Sequence, residues 1–168
     1  PAIGMRRMRP QYALLQSGLP HTSTFAHRNS IVLNMHLIQT ERLNIRELTR
    51  AKDAEFILTL LNEPSFIKNI GDRGIRTVDD ARAYIQNGPA ASYAKNGFGL
   101  WLVILKETGA SIGICGLIKR DSLEDVDLGY AFLPAYWSMG YASEAAKASL
   151  DYGWNQVDLK RIVAITDP

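Results

Sequence analysis

An apolar strand-like segment, Leu128 to Leu133, runs into a turn carrying Pro134 and Gly140, and an alanine-rich helical segment, Ala142 to about Trp154, leaves it. No other stretch restricts the fold as much. A strand that passes through a glycine-bearing turn straight into a helix leaves the first amide N–H groups of that helix without intrahelical partners. Those groups lie at the positive end of the helix dipole, and a turn of small residues lets a ligand approach the backbone closely. The expected occupant of Met139 to Ser143 is therefore an anionic group, with pyrophosphate the best fit. The competing reading is that Gly140 does no more than make the turn. Dinucleotide and P-loop sites are excluded, because neither G-x-G-x-x-G nor G-x-x-x-x-G-K-[ST] occurs.

The segments around this turn fit an α/β or α+β class. Leu37-Ile38 and Leu43-Asn44-Ile45-Arg46 alternate as strands do. Thr49 suits the N-cap of a helix to about Leu61, with Ala54, Ile57, Leu58 and Leu61 on one stripe, and Asn62-Glu63-Pro64 ends it. Thr77-Val78-Asp79-Asp80 has capping-box spacing for a helix that turns Ala81, Tyr84 and Ile85 inward and closes at Gly88-Pro89. Between these helices, Phe66 to Arg76 reads either as a solvated loop or as a cleft lining with Asp72, Arg73 and Arg76 as contacts. Gly99 to Leu105 and Ser111 to Ile118 make a hairpin through Lys106-Glu107-Thr108-Gly109. Asp127 to Leu133 is the fourth strand and Arg161 to Ile165 the fifth. The helix between them lines up Ala142, Ala145, Ala146, Ser149 and Gly153, small enough for it to lie close against a sheet.

Composition narrows the chemistry. A chain of 168 residues suits one domain. No apolar run reaches the roughly 18 residues of a membrane span. His21, His27 and His36 all lie at or before the first strand, which argues against a Ser-His-Asp triad, a Cys-His pair or a histidine metal site in the folded body. Cys115 is the only cysteine and sits mid-strand, where it reads as a small buried hydrophobe in a protein of a reducing compartment. The first 34 residues hold four arginines and no acid, leaving 15 basic against 17 acidic residues, net −2, over Met35 to Pro168. The basic balance thus belongs to the leader and implies no nucleic-acid surface. Residues 1–34 lack any helical or strand period. They fit sequence translated upstream of a start at Met35, a transit peptide, or a disordered tail.

The run Phe132-Leu133-Pro134-x-Tyr136-Trp137-x-x-Gly140-Tyr141-Ala142-x-Glu144-Ala145 closely resembles the acetyl-CoA pyrophosphate motif of the GCN5-related N-acetyltransferases (GNAT). It is most similar to their RimJ/RimL-like branch, which acetylates ribosomal-protein N-termini and other amines. Gln39-Thr40-Glu41-Arg42-Leu43, the strand from Ile112-Gly113 to Gly116-Leu117, and Leu128-Gly129-Tyr130 match in the same order. The resemblance implies the GNAT acyl-CoA N-acyltransferase fold, a mixed, mostly antiparallel sheet flanked by helices, over 35–168. It also implies a domain cut short after the fifth strand, without its C-terminal helix and strands. Part of the CoA site and the leaving-group acid belong to that segment in the family, so weak acetyl-CoA binding by the chain ending at Pro168 is expected.

By the same resemblance, backbone amides of Met139, Gly140, Tyr141, Ala142 and Ser143 hold the CoA pyrophosphate, with Trp137 where the general motif starts with Gln or Arg. The pantetheine arm pairs like an extra strand with Phe132 and Leu133. Asp127 stands where many relatives carry a glutamate and is the expected proton acceptor, its alternative being a solvated strand-end carboxylate. Glu144 reads as a dipole partner. The implied reaction is transfer of an acetyl group from acetyl-CoA to a primary amine, either a protein N-terminus such as that of a ribosomal protein or a small molecule. The expected protein is a cytoplasmic transferase (acyltransferase) with no metal, no nucleic-acid partner and no membrane, and a homodimer is compatible with it. Two rivals stand beside it: a non-catalytic CoA-binding or regulatory module, and an antibiotic or polyamine acetyltransferase.

Overall fold

The computed structural model describes residues 11–15 and 38–166. Its strands are β1 (Gln11–Leu15), β2 (Ile38–Gln39), β3 (Leu43–Arg46), β4 (Leu100–Leu105), β5 (Ser111–Lys119), β6 (Val126–Phe132) and β7 (Ile162–Thr166). They form one sheet in the order β1-β7-β6-β5-β4-β3-β2. All neighbours are antiparallel except β6 and β7, which run parallel. A parallel pair needs a crossover, and α5 (Tyr141–Asn155) provides it. The expected mixed, mostly antiparallel sheet with flanking helices is what forms.

The sheet is apolar on both faces, which explains why β4 and β5 read as continuous hydrophobic runs rather than alternating ones. Leu43, Trp101, Cys115, Leu117, Leu128 and Ile162 pack on the α5 side. Leu102, Ile114 and Ala131 pack on the other side, against α1 (Ala54–Leu61) and α3 (Val78–Ile85). The small face of α5 does what its composition promised: Ala145, Ser149 and Gly153 are buried. A Cβ on Gly153 would come within 2.8 Å of Ile162 Cδ1 and 2.9 Å of Leu117 Cδ1. The helix can lie this close only where it carries no side chain.

Local pattern and structure part company in four places. Gln11–Leu15 falls within the 1–34 stretch that shows no strand period, yet it pairs with β7 from Gln11↔Thr166 to Leu15↔Ile162. Pairing along a sheet edge supplies order that local sequence does not; the remainder of 1–37 lies outside the described residues. The first helix begins at Ala54 with Asp53 as its N-cap, not at Thr49. Thr49 instead donates its amide (2.7 Å) and hydroxyl (3.1 Å) to the Asp53 carboxylate.

Pro64, read as a stop, occupies the first turn of a further short helix, α2 (Pro64–Asn69), because its missing N–H costs nothing there. The loop expected over Phe66 to Arg76 is thus confined to the part after α2. Gly88-Pro89 does not close α3 either. The chain passes through a π-helical turn, Gln86–Ala90, into α4 (Ala91–Asn96), which ends at Gly97 in the left-handed region. The Thr77–Asp80 capping box forms as its spacing implied. No helix among the described residues is long and apolar enough to cross a membrane.

Candidate active site

β6 pairs with β5 along its whole length, from Lys119↔Val126 to Gly113↔Phe132. With β7 it pairs only at Val126↔Ile162 and Asp127↔Val163. Past Asp127 the two parallel strands part, leaving a V-shaped gap whose mouth is the turn after β6. Along the sheet, five residues at about 3.3 Å each separate Asp127 from Phe132, roughly 17 Å.

Main-chain direction decides which groups line this gap. Leu133 N–H donates to Ile112 C=O on β5 (3.0 Å). Antiparallel alternation then turns the N–H and C=O groups of Tyr130 and Phe132 toward the gap. The Phe132 carbonyl accepts from Trp137 Nε1 at 2.8 Å. Among the described residues this leaves both main-chain groups of Tyr130 and the N–H of Phe132 as an open edge. Leu133 has none to offer, because its carbonyl accepts from Tyr136 N–H at 3.0 Å. The expected edge of Phe132 and Leu133 is therefore shifted back to Tyr130 and Phe132. The Tyr130 ring is exposed, and what the residue adds to this edge is main chain, which side-chain identity in the sequence does not mark.

At the mouth, Ser138 and Gly140 both adopt positive φ, 60° and 80°. Left-handed residues in a turn make successive N–H groups converge into a concavity. α5 starts at Tyr141 with no side-chain cap, and its first main-chain bond is from Glu144 N–H to Gly140 C=O. The amides of Gly140, Tyr141, Ala142 and Ser143 have no acceptor among the described residues. Trp137, expected in the polar slot of the motif, instead uses its indole to fasten the turn to the end of β6. Its own amide donates to Pro134 C=O (3.1 Å), so its contribution to the cradle is shape.

Three side chains that converge on this turn come from opposite ends of the chain. Glu144 accepts from the Thr40 hydroxyl, the Arg42 amide (2.9 Å) and Arg42 Nε (2.6 Å). Burial pushes the Glu144 carboxyl up, but these hydrogen bonds and the guanidinium outweigh it and hold the group below the usual carboxylate range. Its dipole position at the helix start is as expected; the partnership with Arg42 is not visible in sequence, since the two residues are 102 apart.

Asp127 sits at the apex of the gap and is 1% exposed. Its Oδ2 accepts from Arg120 Nε at 2.7 Å, and Oδ1 is buried without a partner among the described residues. Strand alternation puts Asp127 on the same face of β6 as Ala131, the face away from α5. Burial raises the Tyr84 phenol on α3, and Arg73 and Arg120 counter part of that rise. Of the residues singled out after Phe66, Asp72 and Arg76 pair with each other. Arg73 is the one whose charge reaches Tyr84.

Cys115 is fully buried, bonded to the Ser149 hydroxyl, and burial pushes its thiol up to about 12. It is the hydrophobe its position implied. Cys115→Ala is expected to leave turnover unchanged, and iodoacetamide is expected to leave the native thiol unmodified, as mass spectrometry would show.

Comparison with known proteins decides the family. A model of the acetyltransferase (GNAT) domain matches residues 42–168. The chain belongs to the GNAT family. It is 34% identical over 134 residues to the uncharacterized N-acetyltransferase YnaD of Bacillus subtilis (strain 168), covering 80% of this chain and 74% of that protein. It is 31% identical over 137 residues to the uncharacterized N-acetyltransferase p20 of Bacillus licheniformis, covering 80% and 75%. A GNAT-family acetyltransferase structure from Bacillus anthracis superposes with a TM-score of 0.61 at 31% identity, covering 76% of this chain and 71% of that one. The protein is an acetyl-CoA-dependent acetyltransferase, and its free cradle amides and open β6 edge fit a ligand with a pyrophosphate head and an amide-bearing arm.

Proposed function

We propose that the protein transfers the acetyl group of acetyl-CoA to a primary amine whose proton leaves to Asp127. The observation that carries this reading is the buried, unpartnered Oδ1 of Asp127 at the apex of the β6–β7 gap. A buried polar atom with no partner calls for an explanation, and a proton-accepting role supplies one. The amide C–N bond forms at the acetyl carbonyl of acetyl-CoA as the C–S bond breaks and CoA leaves as its thiolate, and one proton passes from the attacking nitrogen to Asp127.

The residues divide this work along the gap. The amides of Met139, Gly140, Tyr141, Ala142 and Ser143 hold the pyrophosphate, and Trp137 stiffens the turn that carries them. Tyr130 and Phe132 pair with the arm as an added strand would, which sets how deep the thioester reaches. The roughly 17 Å of strand from Phe132 back to Asp127 then leaves the arm a path that ends with the acetyl group near the apex. Arg120 fixes the carboxylate on one oxygen and leaves the other directed at the nitrogen, directly or through water. Positioning provides most of the rate, and base catalysis adds a factor of roughly 10²–10⁴.

The acceptor is a peptide N-terminus or a small-molecule amine. Structures of the same fold include a ribosomal-protein-S5-alanine acetyltransferase from Vibrio fischeri (17% identity, TM-score 0.61) and a spermidine N-acetyltransferase chimera (19% identity, TM-score 0.59). An α-amine has a pKa near 7.7–8.0 and a lysine near 10.4, so a peptide N-terminus asks least of a single carboxylate. A panel of N-terminal peptides, lysine peptides, spermidine and aminoglycosides, scored by CoA release, tests the reading. Turnover with at least one amine is expected. Acetyl-CoA binding with no release from any amine would leave a binding module in its place.

A further inference from the structure

The cradle is built from main chain, yet a side chain from the opposite edge of the sheet grips it. Arg42, at the turn between β2 and β3, reaches the start of α5. Its Nη1 donates to Met139 C=O at 2.9 Å, and its Nε donates to Glu144 at 2.6 Å. Its guanidinium carbon lies 4.5 Å from the centre of the Tyr141 ring, a cation–π distance. Its Nη2 sits 3.3 Å from where a Cβ on Gly140 would be, so the guanidinium packs against the residue that opens the helix. Its base is anchored too, since Arg42 C=O accepts from Lys106 N–H at 2.9 Å.

One consequence follows from peptide geometry alone. In a planar trans peptide the C=O and the following N–H point in opposite directions. Holding Met139 C=O toward Arg42 therefore turns Gly140 N–H away from Arg42. Gly140 at φ 80° has no side chain to enforce that direction, and a glycine peptide flips easily. The same arginine neutralises Glu144, whose carboxylate would otherwise stand in the first turn of α5 and repel an anion at the helix start.

We propose that Arg42 is a positioning residue of the CoA site: it sets the direction of the Gly140 amide and cancels the Glu144 charge, and so tunes affinity for pyrophosphate without touching the reacting atoms. The inference rests on the pyrophosphate occupying the cradle. It predicts an effect on the phosphate end of the donor only.

Calorimetry with CoA and no acceptor gives one readout, and turnover of acetyl-CoA against S-acetylpantetheine, which lacks every phosphate, gives the other. Arg42→Ala is expected to raise the CoA Kd roughly 10- to 100-fold, as for loss of a charge-assisted bond, while kcat/KM with S-acetylpantetheine stays within about twofold. Arg42→Lys, which keeps the charge and one donor but not the fork, is expected to fall between. It also serves if the alanine variant does not fold. An unchanged CoA Kd in both variants, with wild type still favouring acetyl-CoA over S-acetylpantetheine, overturns the role of Arg42 and leaves the cradle standing. Equal losses with both donors reduce Arg42 to a tether of the β2–β3 turn and overturn it as well. Equal use of the two donors by wild type overturns the cradle itself, and the inference with it.

Discussion

Asp127→Asn is expected to lower kcat/KM for the amine by roughly 10²–10⁴-fold, with the CoA Kd unchanged. The substitution keeps the shape of the side chain and an oxygen that can accept from Arg120, so the apex of the gap stays packed. What it removes is the ability to take a proton at the atom that now lacks a partner. A further readout separates proton transfer from packing. The loss should grow with the pKa of the acceptor, smallest for a peptide N-terminus and largest for lysine, because the more basic amine depends more on assistance. Activity within threefold of wild type with every acceptor would mean that the proton leaves to water. Asp127 would then serve only as the partner of Arg120.

Asp53→Ala is expected to cost about 3–5 kcal/mol of stability. Asp53 is 3% exposed. It accepts from both terminal nitrogens of Arg46 (2.8 Å each) and from the amide and hydroxyl of Thr49. Its removal strands the charge of an Arg46 side chain only 17% exposed and releases the start of α1 from β3. Urea titration measures the loss.

The pH dependence carries a definite sign. Burial raises the Asp53 carboxyl, but Arg46 and Thr49 together lower it below its ordinary value. A group lowered in the folded state stabilises fully above its unfolded pKa, near 3.9, and loses that contribution as pH falls through the folded value. Wild-type stability should therefore drop below about pH 4 more steeply than that of Asp53→Asn. Parallel curves for the two proteins would remove Asp53 from the acid transition.

The parts of the fold that could be read from sequence share one property: their cause lies within a few residues. The Thr77–Asp80 capping box needs only a three-residue spacing. The hairpin of β4 and β5, the apolar β6 and the small face of α5 follow from period and side-chain size. Thr49 and Pro64 misled for the complementary reason. Each has a sound local preference, but Thr49 was recruited by Asp53, and Pro64 found a first-turn position in a new helix. The edge strand Gln11–Leu15 has no local signature, because its order comes from β7, about 150 residues away in the chain.

The cradle shows the same division at the site. Sequence by itself determined that a strand would end in a glycine-bearing turn and start a helix with free amides at Met139 to Ser143. It also placed all three histidines at or before the first strand and marked Cys115 as a mid-strand hydrophobe, which its burial bears out. Backbone conformation and side-chain size are local, so they survive without a structure. Tertiary structure alone decided where β6 and β7 part, that Tyr130 and not Leu133 shares the open edge, that Asp127 is buried with one oxygen unpaired, and that Arg42 clasps the Met139 carbonyl. Each of these depends on which strand lies beside which, a matter of long-range pairing between segments that no local pattern records.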